Sequence, residues 1–213
     1  KAGEETDFDS PTGGDIMLSL TTAFWGLVVL FAVAGMMRGW TREIVVTASI
    51  ILALFAINQL MSPIFGLLNW DNNAVQPDNI RRYQFFIMSS FLLLLAFAGY
   101  QGPTLASSRV GDRLNRRDNL QDKLLGLSVG AINGWLIIGS LWSFLEYKII
   151  AANTWLRFPP NIGYPFGVSR IIRPAPELAP IIDNLPIPFL TQSPYILLLL
   201  LILFVLFLLI VLL

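Results

Sequence analysis

Five uninterrupted apolar runs, each close to the length that crosses a bilayer, constrain this chain more than anything else in it. They cover residues 16–37, 44–60, 83–100, 124–145 and 195–213. A helix rises about 1.5 Å per residue, so roughly 20 residues span a hydrocarbon core about 30 Å thick. The second run is the shortest, and Met61 with slight bilayer thinning completes it. With 55% hydrophobic and 13% charged residues, the chain has too little polar sequence to cover these runs in a water-soluble fold. It reads as an all-α integral membrane protein, a polytopic bundle of about five transmembrane helices. Ionisable groups are almost absent from the runs, and Glu43 and Glu146 stand only at their borders.

Composition excludes much chemistry. A chain of 213 residues with five spans has no room for a soluble catalytic domain. Its net charge is zero, so no global field favours nucleic acid. Cysteine is absent, which removes disulfides, thiolate nucleophiles, cysteine-ligated iron–sulfur clusters and Cys-type zinc sites. Histidine is absent too, and with it go the usual general base, the commonest metal ligand and the usual ligand of haem or a chlorophyll-type pigment. Ser128 and Ser140 have no histidine to activate them. Asp112, Asp118 and Asp122 are interspersed with Arg and Lys, a pattern of local ion pairs. No glycine loop followed by Lys-Ser or Lys-Thr offers a phosphate cradle. The expectation is a protein that is not an enzyme and carries no cofactor or metal. Because the chain starts at Lys1 and stops inside an apolar run at Leu213, it is also expected to continue beyond both ends. An acidic stretch precedes the first run, unlike the basic start of a signal peptide.

Basic residues set the expected orientation. Connections 38–43 and 101–123 carry Arg38, Arg42, Arg109, Arg113, Arg116, Arg117 and Lys123 at high density near span ends. The basic residues of the opposite side are spread over longer segments. The density rule places the two dense connections in the cytoplasm and the amino terminus outside. The chain then divides into an acidic extracytoplasmic tail (1–15), a four-helix membrane core (16–145), a proline-rich apolar extracytoplasmic segment (146–194) and a fifth span (195–213). The short connection 38–43 predicts that spans one and two are antiparallel neighbours. Around residues 109–118, alternating charge with Val110 and Leu114 four apart reads as a short surface helix, either a docking element or a solvated connector.

The segment 146–194 holds nine of the thirteen prolines, which forbid a long helix or a central strand. Apolar residues are nevertheless interleaved throughout, and disordered linkers are poor in these. Such a segment packs on something: the membrane surface, the top of its own bundle, or another subunit. Pro159, Pro160, Tyr164, Phe166, Ile171, Ile172, Ile181, Ile182 and Phe189 are its candidate docking residues.

In the fourth span Gly126, Gly130 and Gly134 repeat every four residues and lie on one helix face, where a neighbouring backbone can come close. Gly35 and Gly39 repeat the spacing at the end of the first span. Asn133 beside this face, and Asn58 and Gln59 at the end of span two, are amides that seek partners, with helix-to-helix adhesion ahead of a permeation path. An ion or proton route normally places charged residues within the spans, so active transport is disfavoured while a passive pore stays open. Trp40, Trp70, Tyr83, Tyr100, Trp142, Tyr147, Trp155 and Tyr195 sit near the interfaces as anchoring belts do. No internal repeat supports an inverted-repeat transporter.

Two blocks carry a family resemblance. The first is Asp15, an apolar span, then Gly35 through Ile44, including Arg38, Gly39, Trp40, Arg42 and Glu43. The second is Asp122, Lys123, two leucines and Gly126. Together they resemble the colicin V production protein family over about residues 15–145. The family often carries a basic residue near the position of Asn133, and this chain departs there. The resemblance implies a four-helix core in a bacterial inner membrane and an association with colicin export or production and with envelope physiology. The proline-rich segment and fifth span lie outside it, which implies a member adapted to dock elsewhere.

Two functions follow. The first is a non-enzymatic scaffold or accessory subunit that binds lipid and other membrane subunits, for instance those of a respiratory or photosynthetic complex. The second is a transport-associated protein or passive pore acting as a homo-oligomer. The proline-rich segment and the fifth span are the expected docking surface, on a core that does not need them.

Overall fold

The computed structural model describes residues 20–71, 77–101, 119–166, 179–193 and 195–212. Four long helices form its body: α1 (Leu20–Arg38), α2 (Trp40–Leu67), α3 (Asp78–Gln101) and α4 (Asn119–Glu146). Each is long and apolar enough to cross a membrane. A β-hairpin follows, with β1 (Tyr147–Ile150) and β2 (Thr154–Arg157), then short helices α5 (Ala179–Asp183) and α6 (Pro186–Leu190) and an apolar helix α7 (Ile196–Leu212).

Helix α2 is the axis of the bundle. Ile50, Ala53, Leu54, Ile57 and Phe65 are all sealed from the surface. It has α3, α4 and α7 around it and β1 near its far end. Its 28 residues exceed the run 44–60 at both ends, because Pro63 is tolerated within it and the apolar residues Ile64 to Leu67 continue the helix. It closes on Asn69, which takes a left-handed φ of 54°. The Asn69 amide bonds the Gly66 carbonyl and the Trp70 amide bonds that of Phe65, a Schellman closure that tolerates asparagine at that position. The stretch 61–82 between the second and third apolar runs is therefore helix at both ends.

Helix α1 packs chiefly on α4, with only a thin contact to α2. The expected pairing of spans one and two is corrected in this respect: a tight turn fixes where α2 begins, but the small-residue faces decide which helices touch. Outward-facing Leu30, Leu94, Phe97 and Leu199 are exposed, as lipid-facing positions of a membrane bundle are.

The hairpin pairs Tyr147 with Arg157 and Ile149 with Trp155. It turns through Ala152 and Asn153, both at φ near +60°. The Asn153 side chain donates to Gln59 Oε1 at 3.0 Å, Trp155 Nε1 donates to Asn58 Oδ1 at 2.9 Å, and Ser62 donates to the Ile150 carbonyl at 3.0 Å. Asn58 and Gln59 thus hold the hairpin to α2; the expected bond to another helix is replaced by one to a strand pair.

Beyond the hairpin the chain turns back along the bundle. Pro186 opens α6, where its missing N–H costs nothing. An added Cβ on Gly139 would lie 2.5 Å from the Pro186 ring. Gly139 stands seven residues before the end of α4, about 10 Å along the axis. Leu185, Ile187 and Leu190 are buried there. These three apolar residues therefore find their partner in their own bundle.

Candidate functional site

The two sequence motifs meet at one end of the bundle. Arg38 ends α1 and Gly39 makes the turn into α2 at φ 84°, ψ 153°, a region essentially reserved for glycine. A side chain on Gly39 would also strike the Asp122 carboxylate, 2.9 Å from its Cβ. Asp122 lies in the first turn of α4, where its charge suits the helix dipole. Below this turn the glycine faces interlock. A Cβ on Gly126 would meet the Gly35 carbonyl at 2.5 Å, one on Gly130 the Phe31 carbonyl at 2.6 Å, and one on Gly134 the Phe31 Cβ at 2.7 Å. The partner of the α4 glycine face is thus α1 of the same chain.

Beside that seam lies Glu43, only 1% exposed. Asn133 Nδ2 donates to Glu43 Oε2 at 2.8 Å and to the Glu43 carbonyl at 2.9 Å. Thr47 Oγ1 lies 2.7 Å from Asn133 Oδ1 and 2.9 Å from the Glu43 carbonyl. Tyr100, at the end of α3, donates to Oε2 at 3.4 Å. Arg38 Nη1 stands 3.9 Å from Oε1, and its guanidinium lies 4.5 Å from the Tyr100 ring centroid. The Arg38 side chain is 47% exposed, so the arginine closes the mouth of the site while the carboxylate stays inside. One carboxylate on α2 is therefore contacted by α1, α3 and α4. Glu43 stands near a helix start, as the sequence places it; the burial comes from its neighbours. Oε1 accepts no hydrogen bond among the described residues.

A second polar cluster closes the opposite end. Glu146, the last residue of α4, is fully buried. The Tyr164 hydroxyl donates to Glu146 Oε1 and receives Trp142 Nε1 at 3.0 Å. Arg81 is buried too: it reaches Asp78 at 3.2 Å and the Gly163 carbonyl at 3.0 Å, with its guanidinium 4.3 Å from the Phe158 ring centroid. Gln84 donates to the Trp70 carbonyl at 2.8 Å. Burial holds the Lys148 ammonium below the ordinary lysine range. None of Arg81, Gln84 or Lys148 stands out in the sequence, because each looks like a loop or border residue until the hairpin and the following segment cover it.

The candidate docking residues separate by place. Pro159 and Pro160 are exposed, and Phe189 is 50% exposed with its ring 6.0 Å from that of Trp135. Phe166 packs edge-on to Phe85 and Phe86 at 5.2 and 5.7 Å, and Ile181 is half-buried. Tyr164 and Ile182 are corrections: both are buried inside the chain, since the segment folds onto its own bundle. Ile171 and Ile172 lie outside the described residues, as do Asp15 and the surface helix expected around 109–118. Of the motif residues, Arg38, Gly39, Glu43, Asp122 and Gly126 come together, whereas Arg42 and Lys123 are exposed. Among the described residues, no three acidic side chains come close enough to hold a metal ion.

The sequence profile described as Colicin V production protein matches residues 20–157. The chain belongs to this family. The colicin V production protein match covers all four long helices and runs through the hairpin to Arg157, twelve residues past the limit at 145 that the motifs alone imply. It makes the chain an all-α, multi-pass membrane protein of that family. The family segment thus includes the strand pair that Asn58, Gln59 and Ser62 hold, and it leaves out α5, α6 and α7. Neither a curated protein nor a solved structure matches the chain.

Proposed function

We propose that this family member is a non-enzymatic scaffold or accessory subunit of a larger assembly in a bacterial inner membrane, with its amino terminus outside. The observation that supports this reading is how Glu43 is used: one buried carboxylate ties α2 to α1, α3 and α4. A rigid bundle whose costly polar groups join its own helices suits a part that holds others in place. The surface it offers narrows to Pro159, Pro160, Phe189 and the outward side of α7, where Leu199, Ile202 and Leu206 are exposed. Affinity purification from native membranes in mild detergent, with identification of what co-purifies, tests the reading. A fixed set of other membrane subunits is expected. Orientation is tested by labelling single cysteines at Ser10 and Ser108 from outside intact cells; only the Ser10 site is expected to react.

A second reading, a transport-associated protein or passive pore acting as an oligomer, draws support from the same residue. Among the described residues nothing donates a hydrogen bond to Glu43 Oε1, and Arg38 covers it from the exposed side. Purification as a homo-oligomer that conducts ions in liposomes would favour this reading over the first.

A further inference from the structure

A cavity of about 390 Å³ lies between α2, α4, α6 and α7. Ile44 and Ile51 of α2, Ile132 and Leu136 of α4, Leu190 of α6 and Leu203 of α7 form its walls. The one hydroxyl on the lining belongs to Thr47, and it is turned to the Glu43 carbonyl and Asn133. The cavity thus offers almost nothing for water to bond, and an apolar cavity of this kind stays dry. Left empty, it would forfeit dispersion contacts along every wall, a penalty that grows with volume and is large at this size. Some apolar molecule has to fill it.

Size and position select the occupant. The walls extend from Ile44 to Ile51, about 10 Å along the axis. A partner helix crossing the bilayer is about 30 Å long and would meet these walls along only a third of its length. A flexible hydrocarbon chain is narrow enough, and the volume lies within the range of about 300–1,000 Å³ for small-molecule sites. Both the α2 and α4 walls belong to membrane-crossing helices, and Ile132 and Leu203 are each about half exposed at the open flank. The molecules next to that flank are lipids.

We propose that the cavity is a binding site for an acyl chain of a bilayer phospholipid, which fills the space between α7 and the α2–α4 pair and completes the packing of the last helix. The site is distinct from the Glu43 cluster, and the inference does not depend on whether the chain serves as a subunit or a pore. Its ligand is a structural lipid held between helices, set apart from the lipid that coats the outward faces of α1 and α3.

The test uses the full chain in vesicles of phosphatidylglycerol and phosphatidylethanolamine that contain a phospholipid with a photoactivatable acyl chain. Vesicles are illuminated either before or after a chase with unlabelled phospholipid, and the labelled peptides of the two samples are mapped and compared. Label should concentrate on the peptides holding Leu136 and Leu203 and should resist a chase with unlabelled phospholipid, whereas label at Leu30 on α1 should chase out quickly. Ile132→Trp, which fills the cavity from its exposed rim, should lower retained label at Leu136 several-fold and leave Leu30 unchanged; Leu203→Trp should do the same from the opposite wall. Equal chase rates at Leu136 and Leu30 would reduce the site to ordinary lipid contact and overturn the proposal. So would label that a free fatty acid displaces and phospholipid does not, or cross-links through Leu203 between two copies.

Discussion

The interlocked glycines make a prediction whose size can be worked out from the structure. An alanine at Gly130 would place its Cβ 2.6 Å from the Phe31 carbonyl oxygen and 2.9 Å from the Gly35 Cα. Both are backbone atoms, so no side chain can swing aside. Ordinary contact begins at 3.4 Å, and α1 must retreat by about 0.8 Å. A forced shift of this kind costs about 1–3 kcal/mol. Gly26, on the outward side of α1, is the control, since a Cβ added there would meet nothing within 4 Å. Gly26→Ala and Gly130→Ala gain the same helix propensity, about 1 kcal/mol at most. The difference between the two variants therefore isolates the contact. At about 2–4 °C per kcal/mol for a chain of this length, Gly130→Ala should melt roughly 2–12 °C below Gly26→Ala. Thermal unfolding of both variants in the same mild detergent measures this. If the two melt together, α4 does not meet α1 through its glycines and the interlocked packing is wrong.

Replacing Asn133 with leucine leaves the Glu43 carboxylate buried without its best donor and should cost about 2–4 kcal/mol in thermal or denaturant unfolding. Asn133→Lys, which restores a cationic partner, should recover part of that loss. Burial lowers the Lys148 pKa from 10.5, so between the folded value and 10.5 the unfolded chain binds more protons and stability rises with pH. Melting temperatures measured up to pH 10.5 should show that slope, and Lys148→Met should flatten it. A chain ending at Ala152 lacks Trp155, Tyr164, Ile182 and Leu190, all packed into the bundle, and should aggregate on extraction, while the full chain stays monodisperse in size-exclusion chromatography.

Much of the architecture could be read from periodicity and length. The four long helices fall on four of the apolar runs, and the spacing of Gly126, Gly130 and Gly134 names the face that packs. The identity of its partner could not be read, because the short turn at Gly39 argues for α2 while the matching small residue, Gly35, faces α4. Glu43 and Glu146 look harmless at span borders, since one sequence shows position along a helix and not what surrounds it. Glu43 is buried only because Asn133 and Tyr100 arrive from ninety and fifty-seven residues away. The hairpin was hidden for a related reason: Tyr147 to Arg157 mixes Lys, Asn and Arg into an apolar stretch, and its strand pairing depends on Asn58, Gln59 and Ser62 of α2. Proline content marked the segment after Arg157 as unable to hold a long helix or a central strand. It could not show that Pro186 fits the gap left by Gly139, a contact between two residues unremarkable on their own.

The central claim, that this chain is a fixed part of something larger, is tested most directly by the mass of the particle it travels in after gentle extraction from its native membrane. Native mass spectrometry should find the chain in a complex with different polypeptides at constant stoichiometry. A particle whose protein mass is a whole-number multiple of this one chain, with no other polypeptide present, would contradict the account.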